Sequence, residues 1–288
     1  MRERVVGASR QGAEFFLPCT SMSPHAPPAT VLSEFGVTGP PRLIHGGQGT
    51  SWLAGGLVFK PEGGETYEWL AEALGDVALD EVRLAMPVRT LNGTWVAEGW
   101  SATRWVEGHE PDRPTTSTWI EIIEAGRALH RAVAHLPRPD CLDARQDWWA
   151  LADKAAWGER PIQFHPELNG IARRLQATLE PLGRSQIVHA DLTRNVLFAP
   201  AMVPAVIDIS PYWRPPEYAE GVVVADALCW HGAQPSLLKL ADVSMAAVAR
   251  ALLFRMATTN ERVAAGVRAV DLPDETRRYI TAATTLGL

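Results

Sequence analysis

Residues Ile187–Ser210 read IVHADLTRNVLFAPAMVPAVIDIS, and the rest of the chain is best read outward from them. Two short apolar runs, Val196–Phe198 and Ala205–Ile207, are joined by a Pro-bearing connection, Ala199–Pro204. Short β-branched and aromatic runs bounded by turn residues read as strands, and neighbouring strands usually pair as a hairpin. Antiparallel pairing is expected to set the residue before the first run, Asn195, against the residue after the second, Asp208. Opposed positions lie roughly 4.5–5.5 Å apart, close enough for one cation to touch both side chains. Asp191 stands just upstream, in the loop that enters the hairpin. Two carboxylates and an amide at one mouth suit a hard cation such as Mg2+, which takes oxygen ligands and shares them with phosphates.

A second set of residues lies far upstream. Leu43–His45 reads as a short strand, followed by Gly46-Gly47-Gln48-Gly49-Thr50 and an extended run over Ser51–Leu53. Gly-rich backbone beside a strand can approach a phosphate closely and offer it bare amides; the same residues also suit a plain hairpin turn. Ala54-Gly55-Gly56 makes another turn, and Leu57-Val58-Phe59 is a strand that ends on Lys60 before Pro61. A Lys closing an apolar strand can project its charge into a cleft. Glu65–Val77 reads as a helix with Trp69, Leu70, Ala73 and Leu74 on one side. Glu62, Glu65, Glu68 and Glu72 accompany it, and Glu65, which borders the apolar face, is the expected partner of Lys60. Val82–Val88, Trp95–Glu98 and Ser101–Val106 read as further strands, with Asn92-Gly93 as a turn. Thr103-Arg104-Trp105-Val106-Glu107-Gly108 leads out of this β-rich unit, and Gly108 suits a hinge.

Beyond Pro114 the pattern becomes helical. Helices are expected over Thr118–Ala134, Gln146–Trp157, Pro166–Leu179, Ala219–Cys229 and Ser236–Thr258, with a last one from about Asp274. His130 lies beside an apolar face and reads as a structural histidine rather than a ligand. The chain has 288 residues, 47% of them hydrophobic and 21% charged, as in an ordinary globular protein with a substantial core. A net charge of −6 gives no footprint for nucleic acid or for an anionic membrane surface. No apolar run approaches the roughly 20 residues that span a bilayer. Cys19, Cys141 and Cys229 form no CxxC pair, which points to a reduced, cytoplasmic setting. Residues 1–30 are expected to form a disordered tail, with Met22 as a candidate natural start.

His189-x-Asp191, Asn195 soon after it and Ile207-Asp208 beyond a hairpin resemble the catalytic and metal-binding segments of the aminoglycoside phosphotransferase and choline kinase group. Leu129-His130 resembles that group's Leu-His helix ending. The resemblance implies an α+β, two-lobed protein-kinase-like fold. Residues 31–106 would form a small N-terminal lobe with an antiparallel sheet and one helix, and residues 107–288 a larger, mainly helical lobe. It implies ATP and Mg2+ as cofactors and roles residue by residue. Asp191 would be the catalytic-loop Asp, and Asn195 and Asp208 would hold Mg2+. Lys60 would hold the α- and β-phosphates, oriented by Glu65, under the amides of Gly46, Gly47, Gln48, Gly49 and Thr50. Thr103, Arg104, Trp105 and Val106 would line the adenine pocket. His189 would brace the loop, and Asp226 would buttress it from a helix. The chain departs from the family pattern at one point: Asp191 to Asn195 spans four residues where five are usual.

Ser210–Tyr218 is stiff and aromatic, and Glu217 follows Asp208 by only nine positions. That is too short for a peptide-binding activation loop, so a small hydroxyl compound is the expected partner, with Trp213 and Arg214 as candidate lining of its pocket. A packed aromatic corner with a surface Arg explains these two residues equally well. Two other readings stay open: a non-catalytic relative that binds nucleotide or a partner, and a metal-dependent hydrolase built on His189, Asp191 and Asp208.

Overall fold

The structure, a computed structural model, describes residues 25–44, 50–112 and 114–288. Gly46, Gly47, Gln48 and Gly49 lie outside the described residues, as does the candidate start at Met22. The small lobe opens with helix α1 (Ala29–Glu34), where sequence pattern had suggested the end of a tail. Val31, Leu32 and Phe35 are buried, and Phe35 meets Phe59 edge-on with ring centroids 5.5 Å apart. The lobe's sheet contains β1 (Arg42–Leu43), β2 (Trp52–Ala54) and β3 (Leu57–Lys60). Gly55 and Gly56 join β2 to β3 with φ of +56° and +76°, which suits a two-residue turn open to glycine at both positions. Along β3, Leu57 and Phe59 point into the core while Val58 and Lys60 are half-buried on the other face, so strand alternation sends Lys60 away from the lobe's own core.

Helix α2 (Glu65–Leu74) follows, and Tyr67 Oη donates to the Ala102 carbonyl at 3.4 Å. Its apolar side does not serve the small lobe: Leu70 and Leu74 belong to the large core. The next segment also crosses over. In place of one strand over Val82–Val88, β4 (Arg83–Leu84) pairs in parallel with a strand of the large lobe. Pro87 then bridges Thr103, and the Val88 N–H donates to the Ala102 carbonyl at 2.9 Å. Proline lacks a donor and holds its predecessor extended, so the change of partner falls at Met86-Pro87. Strands β5 (Val96–Ala97) and β6 (Trp100–Arg104) complete an antiparallel sheet in the order β1-β2-β3-β6-β5.

The large lobe begins with α3 (Thr116–Ala132), capped reciprocally by Thr115 and Thr118. Then come α4 (Cys141–Ala144), α5 (Trp148–Ala156), capped by Asp147, and α6 (Pro166–Ala177). Strands β7 (Gln186–His189), β8 (Val196–Leu197), β9 (Ala205–Val206) and β10 (Pro211–Arg214) surround the Asp191–Asn195 loop. The aromatic run after Asp208 is therefore a strand, pairing antiparallel with β7 so that Pro211 faces His189 and Tyr212 faces Val188. Helix α7 (Pro216–Trp230) is buried along nearly its whole length. The long helix expected over Ser236–Thr258 is two, α8 (Ser236–Leu240) and α9 (Met245–Ala264). The break carries Asp242 at φ +54°, and the Ser244 side chain caps α9 by accepting from the Ala247 N–H at 3.2 Å. Helix α10 (Leu272–Thr285) closes the lobe. Among the described residues no helix is long and apolar enough to cross a membrane.

Two close approaches fix this lobe. A methyl at Gly126 on α3 would overlap Leu192 Cδ1 of the Asp191–Asn195 loop. A Cβ at Gly221 on α7 would stand 2.5 Å from the Ala247 carbonyl carbon on α9. Both glycines therefore let a helix come within backbone distance of what it supports.

Candidate active site

The hairpin does form, but its register is one residue off the expected one. Val196 faces Val206 and Leu197 faces Ala205, so Asn195 stands opposite Ile207, whose N–H donates to the Asn195 carbonyl at 3.0 Å. Asp208 lies one position further on, in the left-handed region at φ +55°. The Asn195 Nδ2 donates to the Asp191 carbonyl at 2.7 Å, and its Oδ1 has no hydrogen-bond partner among the described residues. The shortened loop closes through a turn: the Asn195 N–H reaches the Leu192 carbonyl at 3.0 Å, with Arg194 at φ +66°. Arg194 is held from outside by both carboxylate oxygens of Glu110, each at 2.9 Å. Glu110 sits on the linker between the lobes, which His109 also ties to Phe198 through paired backbone bonds of 3.0 Å. Gly108 meets Leu197 so closely that a side chain there would collide with it.

The two distant halves of the site meet in a cleft of about 360 Å3. Lys60 Nζ, from the end of β3, lies 2.5 Å from Asp208 Oδ1, from behind the hairpin. Thr50, Asp191 and Asp208 line the same cleft, together with Glu62, Arg145, Trp149 and Arg255. Of the other residues singled out in the sequence, Asn195 lies under the loop, and Thr103–Val106 run from the end of β6 into the linker. Trp105 is largely exposed there, and its N–H donates to the Gly56 carbonyl at 2.9 Å.

Three expectations are corrected. Glu65 forms no ion pair with Lys60; it is exposed in the first turn of α2, and Lys60 is taken by Asp208. Glu62, two residues past Lys60, also lines the cleft. Desolvation at the cleft holds its carboxyl above the usual carboxylate range, with Lys60 acting in the opposite direction. Arg214 does not line the cleft. Its guanidinium grips Asp153 at 2.6 Å and Glu159 at 2.6 Å and lies over the Trp157 ring at 4.8 Å. Trp213 also lies outside the cleft; it packs partly against the large core and borders, with Arg214, a separate cavity of about 100 Å3.

Behind the loop, His189 is buried. Its N–H donates to His130 Nε2 at 3.1 Å, and its Nδ1 accepts from the Ser210 N–H at 3.2 Å, joining β7 to both α3 and the turn after Asp208. Burial pushes the His130 imidazole down to about 3, with His189 adding to the effect, so His130 is neutral and accepts. Burial also lowers His189, against the opposing pull of Asp191 and Asp208. Asp226, on α7, is buried and holds Arg255 of α9 through both oxygens, at 2.7 and 2.6 Å. The same guanidinium reaches Asp191 Oδ1 at 2.9 Å. Burial opposes the charge on Arg255, but Asp226 and Asp191 outweigh it and raise its pKa above the usual Arg value. Nothing in the sequence flagged Arg255. It sits inside an apolar helix, 64 residues beyond Asp191.

A Lys at the end of an N-lobe strand, facing a hairpin that carries an Asp-x3-Asn loop and a further Asp, defines a two-lobed protein-kinase-like fold. Residues 51–209, over half of the chain, match the model of the phosphotransferase enzyme family. The chain belongs to that family and is a phosphotransferase enzyme. No curated protein matches it in sequence. Among solved structures, an aminoglycoside phosphotransferase from Alicyclobacillus acidocaldarius is 16% identical, with a TM-score of 0.59 over 91% of this chain and 94% of that one. The choline kinase LicA from Streptococcus pneumoniae is 14% identical, with a TM-score of 0.59 over 90% and 96%. Spectinomycin phosphotransferase in complex with ADP and spectinomycin is 11% identical, with a TM-score of 0.55 over 90% and 97%. At these identities the likeness is one of fold.

Proposed function

We propose that this enzyme transfers the γ-phosphoryl group of ATP, with Mg2+, to a hydroxyl of a small molecule. The observation that carries the reading is the meeting of Lys60 and Asp208 across a cleft that Asp191 also lines. Phosphoryl transfer needs alignment and charge neutralisation more than covalent help, and these residue types supply both. Lys60, freed from Asp208, holds the α- and β-phosphates, with Thr50 at the same cleft; for Gly46, Gly47, Gln48 and Gly49 the role of covering the phosphates is the one the family resemblance implies. Thr103–Val106 frame the adenine.

Asp208 and Asn195 fit a hard cation. The Asp208 carboxylate is about half exposed at 48%, and the Asn195 Oδ1 is unengaged among the described residues. No cluster of three or more His, Cys, Asp or Glu among the described residues forms a ready-made metal site, so this pair suits an ion that fills its shell with phosphate oxygens and water. Such an ion, when bound, neutralises charge developing on the β- and γ-phosphates. Asp191 orients the acceptor hydroxyl and takes its proton. The acceptor oxygen forms a bond to the γ-phosphorus as the bond to the β–γ bridging oxygen breaks, and ADP leaves with that electron pair.

The hydrolase alternative loses support from His189, whose Nδ1 is already occupied and whose ring is buried behind the loop. Of the four acids that line the cleft, Glu62, Asp147, Asp191 and Asp208, three are paired. Asp147 is paired with Arg145 at 3.0 Å, Asp191 with Arg255 at 2.9 Å, and Asp208 with Lys60. The free, buried thiols Cys141 and Cys229 accord with a reduced, cytoplasmic setting.

A thermal-shift titration tests the nucleotide half of this reading. Ligand at about 100 Kd stabilises by about 2.7 kcal/mol, which is several degrees for a chain of this size. Mg2+ with ATP should give that shift, and Asp208→Ala should abolish its Mg2+-dependent part. No shift with any nucleoside triphosphate would defeat the proposal. A shift without turnover on any hydroxyl compound would favour a non-catalytic nucleotide-binding protein.

A further inference from the structure

We infer that Arg255 is a positioning residue for phosphoryl transfer, fixing Asp191 so that one carboxylate oxygen is left to the acceptor hydroxyl. The inference rests on the role proposed for Asp191. A carboxylate at a cleft wall can rotate about its last torsion and present either oxygen, so its direction has to be set by something else. Asp191 is about half exposed, at 46%, and of its two side-chain oxygens only Oδ1 has a protein partner among the described residues. That partner is Arg255 Nη2.

Arg255 is itself immobilised. Its side chain is 12% exposed, and Asp226, 6% exposed, grips it at both Nε and Nη2. The planar guanidinium thus has its orientation set by one buried carboxylate and transmits it to the other, a task the point charge of a Lys cannot reproduce. The third nitrogen, Nη1, has no hydrogen-bond partner among the described residues, and Arg255 lines the cleft beside Asp191.

The chain of support also explains why α7 and α9 approach so closely at Gly221. The pair Asp226–Arg255 spans those two helices, and its geometry depends on their spacing. Asp226 reaches the catalytic loop through Arg255; the bond recorded on the carboxylate of Asp191 comes from the guanidinium.

The test is steady-state kinetics of Mg2+-dependent ATP turnover, with any hydroxyl acceptor found for the wild-type enzyme, or water where none is supplied. Arg255→Lys should lower kcat by on the order of a hundredfold, the scale of a misplaced catalytic group, with KM for ATP and the thermal shift by Mg2+–ATP unchanged. Because Arg255→Gln strands a buried Asp226, the double variant Arg255→Gln/Asp226→Asn supplies the second measurement: an amide pair replaces the ion pair and keeps the fold. It should show the same loss of kcat. Added to Asp191→Asn, either change should lower kcat no further. A kcat within a few-fold of wild type in both Arg255 variants would overturn the inference, as would full additivity with Asp191→Asn. Absence of any nucleotide shift, or of any turnover, in the wild-type enzyme would instead defeat the functional reading on which it rests.

Discussion

Gly221→Ala probes the support of the site most severely. In an unconstrained helix this change is favourable by about 1 kcal/mol, because Ala is the better helix former. Here the added Cβ would stand 2.5 Å from the Ala247 carbonyl carbon and 3.0 Å from the Ala247 Cβ. Carbon atoms rest at about 3.5–4.0 Å, so α7 and α9 must separate by roughly 1 Å. The atom met is backbone, which cannot swing aside as a side chain can. Overpacking of this kind costs about 1–3 kcal/mol, and parting the buried Asp226–Arg255 pair adds to it. The expected net loss is about 2–4 kcal/mol, or roughly 5–15 °C in Tm. Gly170→Ala is the control: Gly170 lies on the exposed side of α6, and a Cβ there meets nothing within 4 Å. It should raise stability by up to about 1 kcal/mol. Thermal and urea denaturation of both variants measure the two signs. A Gly221→Ala protein as stable as wild type would refute the close packing of α7 on α9.

Other consequences follow from the same geometry. Arg214→Ala leaves Asp153, only 6% exposed on its side chain, without its cation, and should cost about 3–5 kcal/mol in denaturation while sparing the Mg2+–ATP shift; loss of nucleotide binding with unchanged stability would return Arg214 to the site. His130, pushed down to about 3 in the folded chain, stays neutral there while the unfolded chain binds a proton near pH 6.5. Stability contributed this way is fully present above about pH 6.5 and is lost as pH falls toward 3, at up to about 1.4 kcal/mol per pH unit. Urea midpoints between pH 7 and 5 should therefore decline less steeply in His130→Asn, and an identical slope would refute a neutral His130.

Much of this molecule was legible because its signals are local. The Gly55-Gly56 turn, the apolar strand that ends on Lys60 and the hairpin around Ala199–Pro204 are each set by neighbouring residues, and the two-lobed fold comes from the family resemblance that His189, Asp191, Asn195 and Asp208 carry. The misreadings share a physical cause: they depend on partners distant in sequence. Arg83–Leu84 looks like any small-lobe strand until β9 claims it. The run Pro211–Arg214 resembles a stiff loop unless β7 is beside it. The one-residue shift puts Asn195 opposite Ile207 and sets buried Val196 against buried Val206, a pairing that the continuous apolar run Ala205–Ile207 does not single out because it offers Val206 and Ile207 alike. Glu65 was preferred over Glu62 from the helix face alone, whereas the direction of Lys60 is set by Asp208. Arg255 carries no local signature, because its place is defined by two carboxylates 64 and 29 residues away.

The most direct test of the central claim is a single-turnover assay with γ-labelled ATP and Mg2+, comparing wild type with Asp191→Asn after both are shown to bind nucleotide equally. Asp191→Asn keeps the size and the loop but removes the carboxylate that takes the acceptor proton, at an expected loss of about 10²–10⁴ in rate. The account predicts transfer of label to a hydroxyl acceptor, or to water, by the wild-type enzyme and its near disappearance in the variant. Equal transfer rates in the two proteins would contradict it.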